Sequence, residues 1–194
     1  MPSTMIHLLV AHEIQPEASG LFLVGNFAPD YTNNRGLKDK IHLRDTANRR
    51  SSLKKLYSEI DKENDFETGW FLHLFVDSCW DEEQYNEYKN WYEAKQDGWF
   101  LCYREEIGFA SYYLYHHLPW SEETWNLIKQ TQLSEIKTSL PIVLDEIERY
   151  RDISAGRHSE SDPNITPKFF TADKIKDFSE NTVNKYREWV ADHK

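Results

Sequence analysis

The chain has 194 residues, 39% of them hydrophobic, with only 7 glycines and 7 prolines, which suits one compact domain with a sizeable buried core. Aromatic residues make up 14% of it, and the large area that 7 Trp and 11 Tyr can bury offsets a polar average and argues against disorder. A formal net charge of −10 repels a phosphate backbone and no Lys/Arg run interleaves with aromatics, so nucleic acid is excluded as the expected partner.

The opening residues, MPSTMIHLLVAHEI, carry no basic run and meet His7 and Glu13 early. They read as neither a signal peptide nor a membrane span, and the expected location is the cytoplasm. Ser3 or Thr4 caps a first helix through about Gln15, with His7 inside it. After Pro16 the apolar segment LFLVGNF runs into Ala28-Pro29-Asp30, where Gly25-Asn26 and Pro29 break the helix and leave Asp30 at a turn or helix end. Residues 31 to 47 are polar and lack a sustained period, so a loop is expected that approaches the core at Ile41, His42 and Leu43.

Helical spacing returns from Arg50 to about Asp61, and the much more apolar FETGWFLHLFVDSCW predicts a central helix from Asp65 to Trp80. Further helices are expected at about 82 to 94, 98 to 117, 121 to 132 and 133 to 150, the last kinked at Pro141. Residues 153 to 166 concentrate Ser, Asp, Gly and Pro and read as a linker before a final amphipathic helix from about Thr171 to His193 that docks back. Nothing alternates as a strand. The expected fold is all-α, a single-domain multi-helix bundle over residues 1 to 194. Cys79 and Cys102 sit in apolar-flanked helical segments and are expected as reduced thiols.

His73 and Asp77 are four apart on an almost wholly apolar helix, so their side chains leave one face at neighbouring turns. A carboxylate buried there needs a metal, an arginine or a proton to compensate it, and a metal satisfies the His and the Asp together. His7 stands on an apolar helix face, and GNFAPD and IHLRD likewise set an acid or imidazole beside apolar runs where solvation is poor. Read together, these positions favour a metal.

Their order resembles the zinc-dependent phospholipase C family and its bacterial relatives. That family has an early helix His, a G-x-x-A-P-D turn, a loop His and a G-[YW]-x-x-H-L-x-x-D-x-x-W helix; here these are His7, Gly25 to Asp30, His42, and Gly69 to Trp80. The match covers roughly the first 80 residues. The resemblance implies the phospholipase C/P1 nuclease helical architecture, and metal binding by His7, Asp30, His42, His73 and Asp77, with Asp77 or Asp30 bridging two ions. It implies Zn²⁺ first, one ion or two, though such N/O donor sets also take Fe, Mn or Ni. The later H-x-x-x-E pair of the secreted enzymes is missing after Asp77; His116 or His117 can add at most one further ligand.

A two-metal site activates water and neutralises charge on a phosphoryl group, so the expected function is a metal-dependent hydrolase, a phosphoesterase acting on a small-molecule or lipid phosphate ester. Arg44, two residues after His42, is the candidate to grip a phosphate oxygen, against an ordinary surface pairing with Asp45 or Asp39, and Arg49 and Arg50 are weaker candidates. Asp45 either orients a ligand His or turns the loop. The competing expectation is a non-catalytic helical binding or scaffold protein with a structural or vestigial ion, its aromatic segment WDEEQYNEYKNWYEAKQDGW serving as partner surface or core packing.

Overall fold

The computed structural model describes residues 1–92 and 98–193, and among them every regular element is a helix. In chain order these are α1 (Thr4–Ile14), α2 (Gly20–Phe27), α3 (Arg35–Ile41), α4 (Arg49–Glu59), α5 (Asp65–Glu82), α6 (Gln84–Trp91), α7 (Trp99–His117), α8 (Ser121–Gln130), α9 (Leu144–Ser159) and α10 (Ala172–Ala191). No helix among them is long and apolar enough to cross a membrane.

α5 is the axis. Asn64 caps it by accepting from the backbone N–H groups of Phe66 and Glu67, and Asp65 and Glu67 in its first turn suit the positive end of the helix dipole. Nearly every residue from Phe66 to Trp80 is buried, as is α1 from Thr4 to Ala11, so both helices are covered on all sides rather than amphipathic.

α2 lies against α5 at backbone distance, because a glycine on each helix faces the other. A Cβ on Gly25 would stand 2.1 Å from the Phe66 carbonyl oxygen, and one on Gly69 would stand 2.1 Å from the Phe22 carbonyl oxygen. Ser19 fastens the two N-termini side by side, capping α2 through the N–H of Phe22 and donating its hydroxyl to Asp65. α10 then closes the bundle over α1 and α5, burying Ile175, Phe178, Val183 and Trp189, with Trp189 packed edge-on or tilted against Tyr57, Phe71 and Phe75.

Three expectations are corrected. Residues 31 to 47 are not all loop: Arg35–Ile41 is helical, started by the Asn34 side chain accepting from Leu37 N–H. The helix expected over 133 to 150 begins only at Leu144, after a 3₁₀ turn at Leu133–Glu135 and an extended passage through Pro141. Proline bars the α conformation from the residue before it. Tertiary bonds hold that passage straight, Asn64 donating to the Lys137 carbonyl at 2.6 Å and Thr138 to Glu67 at 2.6 Å. The same helix continues to Ser159, so the first half of the expected linker is helical.

The helix expected at 82 to 94 divides at Glu83, where α5 ends and α6 begins; its expected end at 94 lies outside the described residues. Ser3 does occupy the N-cap of α1, but through its carbonyl, which accepts from Ile6 and His7; its hydroxyl makes no cap bond. Cys79 and Cys102 are free thiols, and burial pushes Cys79 up to about 12.

Candidate metal centre

Five side chains from separate parts of the chain meet beside the α2/α5 contact. α1 contributes His7, the 3₁₀ turn Ala28–Asp30 contributes Asp30, the C-terminal end of α3 contributes His42, and α5 contributes His73 and Asp77. All are buried. Two overlapping groups are close enough to hold an ion, His7/Asp30/His73 and His42/His73/Asp77, so the structure brings together every metal ligand expected from the sequence.

Hydrogen bonds assign the ring tautomers. His42 Nδ1 lies 2.8 Å from the Lys38 carbonyl and His73 Nδ1 lies 2.7 Å from the Asn26 carbonyl, and a carbonyl can only accept. Both rings therefore carry their proton on Nδ1 when neutral, leaving Nε2 with a bare lone pair. Those two Nε2 atoms stand 3.2 Å apart. Around them, His42 Nε2 is 3.3 Å from Asp30 Oδ1 and 3.5 Å from Asp77 Oδ2, and His7 Nε2 is 3.9 Å from Asp77 Oδ1. Ligand atoms around a tetrahedral zinc ion with ordinary bond lengths stand about 3.3–3.5 Å from one another, so most of these spacings already match.

A proton is the competing explanation. Protonating His42 would supply one N–H for three acceptors, His73 Nε2, Asp30 Oδ1 and Asp77 Oδ2. It would do nothing for His7, whose two ring nitrogens have no hydrogen-bond partner among the described residues although the ring is fully buried and stacked on His73 at 3.8 Å. Burial holds His73 down to about 4, the nearby Asp30 and Asp77 only partly opposing it, and burial with the neighbouring His73 holds His7 well below its ordinary value. Both are neutral, ligand-competent imidazoles at pH 7.

The acids are compensated by cations. Burial alone would raise Asp77, but His42 and Arg44 outweigh it and keep the carboxyl ionised. Arg44 donates to Asp77 Oδ2 at 2.9 Å and Arg49 at 3.4 Å, so an arginine answers for that charge and the burial of Asp77 no longer requires a metal by itself. Asp77 Oδ1, by contrast, has no hydrogen-bond partner among the described residues. Lys38 stands 2.8 Å from Asp30 and, against the opposing effect of burial, keeps that acid well below the usual carboxylate range. The donor set fits a divalent cation: neutral His7 and His73, ionised carboxylates, and buried polar atoms without a hydrogen-bond partner among the described residues. His73 is common to both groups and offers one free nitrogen, Nδ1 being held by the Asn26 carbonyl, so the two groups are alternative places for an ion.

Arg44 is positioned by backbone strain. Leu43, next to His42, has φ +56°, a left-handed conformation that bulky residues avoid. It ends α3 with Arg44 N–H donating to the Asp39 carbonyl at 2.8 Å. The Arg44 side chain is paired with Asp77 and Asp81, not with Asp45 or Asp39, and Asp45 is exposed. His116 and His117 lie elsewhere: His116 Nε2 is 3.0 Å from the Ser161 carbonyl, and His117 stacks on Tyr113. Neither belongs to either group of possible ligands.

Three neighbours of the site were not singled out by sequence reasoning for this role: Lys38 and Asp81 had no reading, and Arg49 only a weak one. Asp81 has a visible signal, since His73, Asp77 and Asp81 form one row at four-residue spacing on α5. Lys38 precedes His42 by the same interval. Much of the aromatic segment packs inward, Tyr88 being fully buried, whereas Trp91 is 53% exposed.

Compared with known protein families, curated proteins and solved structures, the chain matches none of them.

Proposed function

We propose that this protein is a metal-dependent phosphoesterase whose His7, Asp30, His42, His73 and Asp77 hold one or two divalent ions, zinc first. The observation that carries the reading is the fully buried His7, whose ring nitrogens have no hydrogen-bond partner among the described residues although His42 and His73 meet beside it with Nε2 atoms 3.2 Å apart; a shared cation answers for all three rings, whereas a proton on His42 leaves His7 without a partner. The motif order of the first 80 residues supports zinc and a phosphoryl substrate by resemblance.

When bound, such ions supply a nucleophilic water near neutral pH and neutralise charge on the phosphoryl group. The protein's own part is to fix the imidazoles through the Lys38 and Asn26 carbonyls and to surround the site with positive charge. Three carboxylates, Asp30, Asp77 and Asp81, are already matched by Lys38, Arg44 and Arg49. Any dication added leaves surplus positive charge, which favours an anionic substrate despite the acidic protein as a whole. The free thiols of Cys79 and Cys102 support a reducing, cytoplasmic setting.

One observation favours a second reading, a helical binding protein with a structural ion: His7, His42, His73 and Asp77 are all 0% exposed. Against it, Arg44, which contacts Asp77, and its partner Asp81 have side chains 25% and 31% exposed, so the groups that cover the site reach solvent.

Elemental analysis of untagged wild-type protein beside the His73→Ala/Asp77→Ala double variant, with a panel of phosphate esters assayed on both, tests the proposal. Bound metal lost in the variant together with hydrolysis supports it. Hydrolysis surviving in metal-free protein sinks the mechanism, and metal without any hydrolysis leaves the structural-ion reading.

A further inference from the structure

Asp81 holds three of the donors that two arginines offer. Its Oδ2 accepts from Arg44 Nε at 3.2 Å, Arg44 Nη2 at 2.9 Å and Arg49 Nη1 at 2.8 Å. Guanidinium forks recognise carboxylates and phosphates by the same planar, two-point geometry, so a group that satisfies one can be exchanged for the other. The same two guanidiniums reach Asp77 Oδ2 on their inner side, which sets them between the candidate metal ligands and solvent.

The two carboxylates that share these arginines differ in freedom. Asp77 is fully buried, whereas the Asp81 side chain is 31% exposed one helical turn further along α5. Its other oxygen, Oδ1, is 3.4 Å from the amino group of Met1, too long for a strong bond. Arg49 also keeps its Nε buried without a partner among the described residues, so the pair has donor capacity that Asp81 leaves unused.

We propose that Arg44 and Arg49 form a phosphate cradle in which the Asp81 carboxylate is a displaceable stand-in, and that the cradle selects phosphate monoesters over diesters. This rests on the metal-dependent reading above. A monoester presents enough unesterified oxygens to engage both guanidiniums while another faces the ions. A diester has only two and must abandon one partner. Asp81 returns to the arginines when the site empties, which keeps two partly buried cations from sharing the single charge of Asp77.

Binding of inorganic phosphate and of dimethyl phosphate, measured by titration calorimetry on wild-type protein, Arg49→Gln and Asp81→Asn, each with and without added zinc, tests this, with metal content measured in parallel. Loss of one charge-assisted fork is expected to weaken phosphate binding about tenfold or more in Arg49→Gln with metal content unchanged. Removing the competing charge in Asp81→Asn is expected to tighten it. These opposite signs keep the test decisive if one variant folds poorly. Dimethyl phosphate is expected to bind far more weakly than phosphate to the wild type. Metal present, with both variants binding phosphate like the wild type, overturns the cradle and leaves the metal reading standing. Metal absent, with the opposite shifts still seen, keeps the anion cradle but overturns the metal reading and the monoester preference that rests on it. Equal binding of the two probes overturns the monoester preference, and no phosphate binding by any of the proteins overturns the whole proposal.

Discussion

His42 and His73 turn their Nε2 atoms toward each other across 3.2 Å, each ring fixed from behind by its own bond to a backbone carbonyl. A metal ion that binds only the native arrangement must stabilise the fold. Free zinc at a hundredfold excess over its dissociation constant contributes about 2.7 kcal/mol, roughly 5–10 °C in a chain of this size. Thermal unfolding with and without zinc should show a rise of that order in the wild type and almost none in His73→Ala. Identical melting curves for the wild type would remove the site's claim on a metal.

The glycines that let α2 approach α5 also set the imidazole. A Cβ on Gly69 would lie 2.1 Å from the Phe22 carbonyl oxygen and 3.0 Å from Asn26 N, and Asn26 is the residue whose carbonyl holds His73 Nδ1. Gly69→Ala must push the two backbones apart. It should cost about 3 kcal/mol, the upper end for forced overpacking, and weaken metal binding about 10- to 100-fold, as loss of an orienting partner does. Gly108 in α7 is the control, since a Cβ there meets nothing within 4 Å. Gly108→Ala should stabilise the protein by up to about 1 kcal/mol through helix propensity and leave metal binding alone. Urea unfolding and zinc titration of the pair would separate close packing from a general effect of substitution.

Lys38 competes for the place that an ion would take at Asp30, its Nζ lying 2.8 Å from Oδ1. Its side chain is 21% exposed and can withdraw to water when displaced. Lys38→Met should therefore destabilise the metal-free protein by about 1 kcal/mol or more, because a nearly buried carboxylate loses its partner, while tightening zinc several-fold. A competition titration against a chromophoric chelator measures the second effect. Weaker zinc binding in the variant would mean that Lys38 supports the ligand geometry rather than opposing the ion.

Much of this arrangement was legible in the sequence because the site is built on the two most apolar helices. LLVA around His7 and WFLHLFVD around His73 and Asp77 announce burial, and an imidazole or carboxylate inside such a run needs an explanation whatever the fold. The charged rim was harder to see. RGLKDKI is short, polar and interrupted by Gly36, and it is helical through the Asn34 cap and the tertiary Lys38–Asp30 pair, neither of which has a periodic signature. Arg49 and Asp81 look like members of solvated faces until folding brings α4 to the C-terminal half of α5. The passage from Gln132 to Val143 was read as helix because its apolar spacing permits one; Pro141 and the bonds from Asn64 and Thr138 decide otherwise.

A fourth buried histidine gives the fold a pH dependence away from the metal centre. His158 on α9 lies with Nδ1 2.7 Å from the Ser154 carbonyl and Nε2 2.8 Å from Ser111 Oγ of α7, under the rings of Tyr112, Tyr115 and Trp125. Burial, opposed by the Ser154 carbonyl and aided by His116 and Arg157, holds it down to about 4 against an ordinary value of 6.5. Between those two values the unfolded chain takes up a proton that the native chain refuses. Stability from this group is therefore complete above 6.5, falls as pH drops through the window, and levels off below about 4. The full effect is on the order of 3 kcal/mol. His73 shifts in the same direction, so the informative quantity is the difference between two proteins. His158→Gln, which cannot titrate, should be less stable than the wild type at about pH 7 by about 1–2 kcal/mol for its imperfect hydrogen bonds, and should lose less stability on going to about pH 5. Urea midpoints at the two pH values measure both. Parallel losses in the two proteins would show that His158 is protonated in the native bundle, and the Ser111 bond would then have to be reassigned with the hydroxyl accepting.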